Sequence, residues 1–150
     1  MKVLVFHIGP DRYALRLTAI ARVLPVAALK AIALAPPYVA GLLDLHGEPV
    51  PVIDLSRLAG VIPEQIWYDT RIVLADYPLG SGLSATVGLL AEHVLGIETI
   101  DPAELRDGGV AGAPFLGQVA SSAHGLLQLV DVEHLLGPEV RALLFPEAAA

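Results

Sequence analysis

Short apolar runs, many of them β-branched, recur along this chain between clusters of turn-forming residues. Val3-Leu4-Val5-Phe6-His7-Ile8 reads as a strand and Gly9-Pro10-Asp11-Arg12 as a turn. Tyr13-Ala14-Leu15-Arg16-Leu17 alternates apolar with polar, so it forms a second strand and the pair a hairpin. Thr18 is placed to cap one helical turn before Val23-Leu24, and Leu29 to Ala33 has the composition of a strand. Ala35-Pro36-Pro37 blocks helix continuation. Tyr38 to Leu45 and Val50 to Ile53 flank a hairpin turn at His46-Gly47-Glu48-Pro49. Asp54 ends that second strand and is placed to cap a short helix from Leu55 to Leu58, its carboxylate accepting from free first-turn amides.

The same grammar continues beyond a polar, proline-containing connection from Val61 to Asp69. Thr70 to Tyr77 and Leu83 to Leu90 are strands on either side of Pro78-Leu79-Gly80-Ser81-Gly82, and His93 to Ile100 is a further strand. Asp101-Pro102-Ala103-Glu104 places a cap, a first-turn proline and an acid where a helix begins. Arg106 to Pro114 is a glycine-rich loop. Phe115 to Ser121 and Leu126 to Val130 form a last hairpin around Ala123-His124-Gly125, and Asp131 is placed to cap Val132 to Leu136. Pro138 to Phe145 reads as a short amphipathic helix with Val140, Leu143 and Leu144 on one side, and Pro146 to Ala150 as a frayed tail.

These elements repeat. Val50-Pro51-Val52-Ile53-Asp54-Leu55 is matched by Leu127-Gln128-Leu129-Val130-Asp131-Val132, with the two aspartates 77 positions apart. Tyr38, Gly41 and His46-Gly47 precede the first; Phe115, Gly117 and His124-Gly125 precede the second. Ala14-Leu15 through Val23 is shadowed by Gly88-Leu89 through Ile97, and Val3 to Phe6 by Ile72 to Ala75. Two similar β-rich units of about five strands each follow. Short strands in that number close most readily into small barrels, because closure removes exposed edges.

Composition narrows the functional classes. Of 150 residues, 55% are hydrophobic and 17% charged, which excludes disorder for most of the chain. High hydropathy raises the question of a membrane span, but Val23 to Leu43 carries Pro25, Pro36 and Pro37, and the apolar N-terminal run is too short for a signal peptide. A cytoplasmic protein is the expectation, with no direct membrane insertion. The net charge of −7 makes nucleic acid an improbable partner. It is uneven, +1 over residues 1–75 and −8 over residues 76–150. That asymmetry reads either as a solvated acidic surface or as two surfaces with different electrostatic preferences. The absence of cysteine excludes disulfides, thiol catalysis and cysteine-held metals.

Catalytic patterns do not emerge. His7, His46, His93, His124 and His134 lack metal-ligand spacing, no nucleophile elbow surrounds any serine, and no phosphate-binding loop is present. Neither an enzyme nor a cofactor is expected. Trp67, in the connection, either anchors that segment or meets a partner.

The stretch Pro36-Pro37-Tyr38-Val39-Ala40-Gly41-Leu42-Leu43-Asp44-Leu45-His46-Gly47-Glu48-Pro49-Val50-Pro51-Val52-Ile53-Asp54-Leu55 resembles the signature of CheW-like domains. Val5 to Gly9 with Tyr13-Ala14-Leu15 resembles that family's first hairpin. Val87 to Leu90 with Val94, and Gly117 through Asp131, resemble its second half, so the likeness covers about residues 3–137. The resemblance implies two pseudo-symmetric five-stranded β-barrels around a shared core with short capping helices. This would be a single domain over 1–150 with barrel subdomains of about 75 residues and a connection near 60–70. It implies a non-enzymatic adaptor, held at membrane-associated receptor arrays, that couples a chemoreceptor cytoplasmic signalling domain to the regulatory domain of a CheA-type histidine kinase. By position, Ile20, Arg22, Gly41, His46, Gly47, Val94 and Ile97 become the candidate partner contacts. Three positions depart from the pattern: His46 stands for the usual Arg, Asp44 for the usual Asn, and Arg22 for a common Glu. Histidine lacks the rigid donor fork of arginine, and Glu-to-Arg reverses a contact's sign. These departures point to a specialised chemosensory pathway, such as surface sensing, cyclic-di-GMP control or pilus motility. The other expectation carried forward is a free-standing β-barrel that binds a small apolar ligand.

Overall fold

A computed structural model describes residues 1–122 and 124–146. Nine strands run as β1 (Lys2–Ile8), β2 (Asp11–Arg16), β3 (Ile20–Pro25), β4 (Val39–Leu45), β5 (Glu48–Asp54), β6 (Arg71–Gly80), β7 (Leu83–Thr99), β8 (Leu116–Ser122) and β9 (Gly125–Val130). Helices α1 (Leu55–Leu58) and α2 (Pro138–Leu144) are short, and three-residue 3-10 turns occupy Leu17–Ala19, Pro102–Glu104 and Val132–His134.

The hairpins form where the turn chemistry places them. Elsewhere the ladder revises the expected elements. Leu29 to Ala33 reduces to one bridge, Lys30 to Leu42. The strand expected over His93 to Ile100 is no separate element: as far as Thr99 it is the second part of the 17-residue β7, with positive φ at His93 (49°) and Gly96 (132°) along it. Thr18 lies inside its turn rather than capping it, because the turn begins one residue earlier. In α2 it is Val140, Leu144 and the following Phe145 that pack on the core, while Leu143 is exposed. The frayed-tail expectation concerns residues 147–150, which lie outside those described, as does Ala123.

Strand order builds two five-stranded groups joined through β7. In one, the second part of β7 pairs antiparallel with β1, β1 with β2, β2 runs parallel to β9, and β9 pairs with β8. In the other, β3 pairs with β6, β6 with the first part of β7, β7 runs parallel to β5, and β5 pairs with β4. Each group is drawn together by the chain that follows its edge strand. Lys30 and Leu42 exchange backbone hydrogen bonds of 2.9 and 2.7 Å, and Arg106 and Val119 exchange two of 2.8 Å. The sequence repeat therefore reappears as geometry. Its third strand is exchanged, however: β3 of the first half pairs with β6 of the second, and the end of β7 pairs with β1 of the first.

Three clusters fill the interior. Val3, Val5, Ala14, Ile100, Ala120, Leu127 and Leu129 pack inside one barrel. Leu43, Val50, Val52, Ile72 and Leu74 pack inside the other. Leu4, Phe6, Leu15, Ile53, Val73, Ala75, Leu89 and Val130 belong to the core the barrels share. Period-two alternation explains the division: Val3 and Val5 face inward while Leu4 and Phe6 face the shared core, and Ile72 and Leu74 alternate with Val73 and Ala75 in the same way. Strands buried on both faces account for the high apolar content.

Strand exchange also redistributes charge. Residues 1–16 with 94–135 hold four basic and seven acidic side chains; residues 20–92 hold the same numbers. Each barrel, with its adjoining turns, thus carries −3. The asymmetry along the sequence does not become an asymmetry between barrels.

Candidate functional site

The seven residues singled out from the sequence fall on three elements. Ile20 and Arg22 lie on β3, opposite Ala75 and Leu74 of β6. Ile20 is half-buried against the shared core; Arg22 is exposed and enters no ion pair among the described residues. Val94 and Ile97 lie on the second part of β7. Val94 is half-buried against the shared core, while Ile97 is 59% exposed and faces Leu4 across the ladder, as Val23 faces Val73 on β3. The repeat thus gives two equivalent edge strands, each with an apolar residue half-sunk in the common core and another outside it. Leu95, 61% exposed, adds to the apolar character of the β7 edge.

His46 and Gly47 form the tip of the β4–β5 hairpin, with φ of 52° and 90°. Two successive positive φ values are those of the tight hairpin turn whose twist matches its strands. Asp44 holds it: the Gly47 N–H donates to Asp44 Oδ1 over 2.7 Å. His46 is exposed, and a cleft of about 300 Å3 beside the turn is lined by Lys30, Leu42, Leu43, Asp44, Gly47 and Pro49. Gly41 belongs to the same hairpin but is buried. A Cβ there would lie 2.6 Å from the Lys30 carbonyl oxygen, so its glycine admits the bridge that closes the barrel.

The structure also gathers polar residues that no sequence spacing revealed. Glu92 accepts from Ser56 Oγ and from Trp67 Nε1, both over 2.8 Å. His93 Nδ1 lies 2.8 Å from Asp69 Oδ1; its ring centroid is 5.1 Å from that of Trp67 and 5.6 Å, edge-on, from that of His7. Burial, together with the nearby His93 and Arg12, pulls the His7 imidazole below its usual range. Asp54 is buried at 6% exposure. Desolvation raises its carboxyl even though the Ser56 and Arg57 amides both donate to it. A cavity of about 270 Å3 lies beside it, lined also by Arg57, Ile66, Thr70, Leu90 and Glu92. His7, Asp69 and His93 are too far apart in the chain to form a readable motif. Trp67 and the Asp54 cap were visible beforehand, and hydrogen bonds to Thr70 and Glu92 tie Trp67 to the fold.

Among the described residues no three His, Asp or Glu side chains gather as a metal site, and no helix is long and apolar enough to cross a membrane. The barrel interiors are filled by side chains.

Comparison with known proteins follows the same outline. A family model described as the CheW-like domain matches residues 2–139. The chemotaxis protein CheW of Bacillus subtilis is 23% identical over 151 aligned positions, covering 99% of this chain and 94% of that protein. The protein of the same name from Klebsiella aerogenes is 23% identical over 145 positions, covering 94% and 84%. The crystal structure of the scaffolding protein TtCheW from Thermoanaerobacter tengcongensis shares the fold with a TM-score of 0.80, over 91% of this chain and 87% of that one, at 22% identity.

Proposed function

The chain belongs to the CheW-like domain family, and from that premise we propose that it is a non-enzymatic scaffold. In this reading it couples the cytoplasmic signalling domain of a chemoreceptor to the regulatory domain of a CheA-type histidine kinase, at membrane-associated receptor arrays. The observation that carries the reading is the match of the family to residues 2–139, on a fold whose two equivalent edge strands leave Ile97 and Val23 uncovered. Edge strands and exposed apolar side chains are what a protein partner uses.

Ile20, Arg22, Val94 and Ile97 supply contacts from the two edges, and His46 and Gly47 from the hairpin tip. Gly41 acts from beneath by letting the tip's hairpin close on Lys30. A histidine at the tip and a cation on β3 alter the hydrogen-bonding and the charge offered to partners, which favours a specialised chemosensory pathway over flagellar chemotaxis. Surface sensing, cyclic-di-GMP control or pilus motility fit that description.

Titration calorimetry against receptor and kinase domains from the same genome tests the reading. Ile97→Asp is the clean variant, because its side chain is mostly outside the fold. It should weaken binding about thirtyfold, the effect of losing an interface hot spot, without lowering Tm. His46→Ala should weaken it about tenfold, and Ile20→Asp should also reduce it. Wild-type protein that binds neither domain would sink the proposal.

A further inference from the structure

We propose that the segment Trp67–Thr70 is a proton-sensitive clasp that positions the β7 segment Val94–Ile97, with His93 as the positioning residue through which the clasp senses pH. The starting point is a conformational problem. β7 leaves β6 after Ala91 and joins β1 from Glu92 onward, so it changes barrels at Glu92-His93-Val94. At that junction His93 has φ 49°, a left-handed conformation unfavourable for most residues that bear a side chain. Surrounding contacts must hold it there.

Trp67–Thr70 supplies them to three consecutive residues. Trp67 Nε1 donates to Glu92 Oε2, Asp69 Oδ1 meets His93 Nδ1, and the Val94 N–H donates to the Asp69 carbonyl over 3.1 Å. The segment is itself stiff: the Trp67 N–H donates to Thr70 Oγ1 over 2.8 Å, and the Thr70 N–H to the Trp67 carbonyl over 3.1 Å. Ser56, at the start of α1, fixes the other oxygen of Glu92. The segment thus closes over the barrel-to-barrel junction directly before Val94.

The clasp contains a titratable link. A neutral His93 with its proton on Nδ1 already donates to Asp69, and a protonated one adds charge to that bond. His7 on β1 lies against His93, Asp11 and Arg12 on β2 act on His7 in turn, and Glu92 precedes His93 on β7 itself. Arg12 is occupied by Glu98, and Glu92 by Trp67 and Ser56. His7 presents its ring edge-on to His93 and, held below its usual range by burial, stays neutral longer as pH falls. Asp69 is then the partner that a proton on His93 engages, and protonation of that ring tightens the clasp.

Trp67 is the only tryptophan, so its emission reports the clasp in the intact protein without any partner. On acidification from about pH 8 to 5.5, emission should fall in a single step as the charged ring beside the indole quenches it. Hydrogen-exchange protection of the Val94 N–H should rise over the same step by a factor of about two to five, which is what a part-exposed ion pair supports. His93→Asn keeps a donor toward Asp69 and tolerates positive φ; it should abolish the step while keeping Val94 protected. Asp69→Asn should keep the quenching and remove the gain in protection. Flat emission and flat protection in the wild type, or a step that survives His93→Asn, would overturn the clasp. Receptor affinity that ignores a step seen in both probes would instead overturn the partner role of Val94 and Ile97, on which the functional consequence rests, and leave the clasp standing.

Discussion

Asp54 and Asp131 occupy equivalent places in the repeat and do different work. The Asp54 N–H donates to the Tyr38 carbonyl over 2.7 Å, and the Asp131 N–H to the Phe115 carbonyl over 2.8 Å. Beyond the backbone they diverge. Asp54 caps α1, accepting from the Ser56 and Arg57 amides, whereas Asp131 makes no cap bond and meets Arg16 Nη1 at 2.8 Å. The expected cap at Asp131 is therefore absent. The cause lies on the neighbouring parallel strand. Leu90 stands opposite Asp54 and gives a carboxylate nothing to bind; the corresponding residue beside Asp131 is Arg16. The Asp131 carboxylate is drawn to this guanidinium instead of the following amides, and the turn after it is a three-residue 3-10.

The segments that follow differ in the same spirit. After α1, Trp67 and Asp69 hold the first half's end by hydrogen bonds. After the Val132–His134 turn, Phe145 stacks on Tyr77 at 5.6 Å, and Arg141 lies over the same ring while donating to the Leu79 carbonyl. One end is polar and titratable, the other aromatic. Equivalent backbones thus accept different chemistry wherever side chains from a distant strand complete the site.

Glycine substitutions should expose the contrast most strongly. Gly41→Ala drives a Cβ against the Lys30 backbone in a positive-φ position and should cost about 3 kcal/mol in urea unfolding. Gly117, one place out of register with Gly41 in the matching bulge, meets the Asp131 carboxylate instead, with a Cβ 2.6 Å from Oδ2. A side chain can swing aside, so Gly117→Ala should cost about 1 kcal/mol, the worth of the Arg16 pair it displaces. Equal losses would break the comparison.

The aspartates come next. Asp54→Ala removes a buried cap and should cost about 2 kcal/mol, while Asp54→Asn, which still caps, should recover most of it. Asp131→Ala should cost less than about 1 kcal/mol, and a double-mutant cycle with Arg16→Ala should assign that loss to the pair. A larger loss at Asp131 than at Asp54 would reverse the roles assigned to them.

Acid sensitivity is the smallest effect. His7 is pulled below its usual range in the folded chain, so the unfolded chain takes up this proton first. Its contribution is fully present above about pH 6.5 and is lost as pH falls through the lowered folded value. Asp54, raised by burial, works oppositely, because acid relieves the cost of its buried charge. The His7 share is therefore read as a difference: Tm of the wild type should fall more between about pH 7 and 5.5 than Tm of His7→Asn. Parallel curves would remove His7 from the account.

Much of this molecule was legible in its residues. Alternation and turn chemistry locate the hairpins, the repeat predicts two related units, and Asp54 is recognisable as a cap from the helical pattern behind it. The hairpin tip His46-Gly47 was also readable, because few residues other than glycine and a tolerant polar neighbour fit such a turn. The long β7 was not. A glycine and a histidine at positive φ look like a strand break, yet continuous pairing, first with β6 and then with β1, keeps the chain extended. Leu29 to Ala33 erred the other way: strand composition is insufficient where only Lys30 finds a ladder partner.

The local elements, their duplication, the family signature and the amount of apolar surface to be buried were all written in the order of the residues. Each follows from residues near one another in the chain, where periodicity and backbone preference act. Tertiary structure alone decided the exchange of the third strand between halves, the even division of charge between barrels, the pairing of Asp131 with Arg16, and the meeting of His7, Asp69 and His93. Those outcomes join segments that lie apart in the chain, or sum over them. They are settled by which strand faces can be buried together, a condition no window of sequence contains.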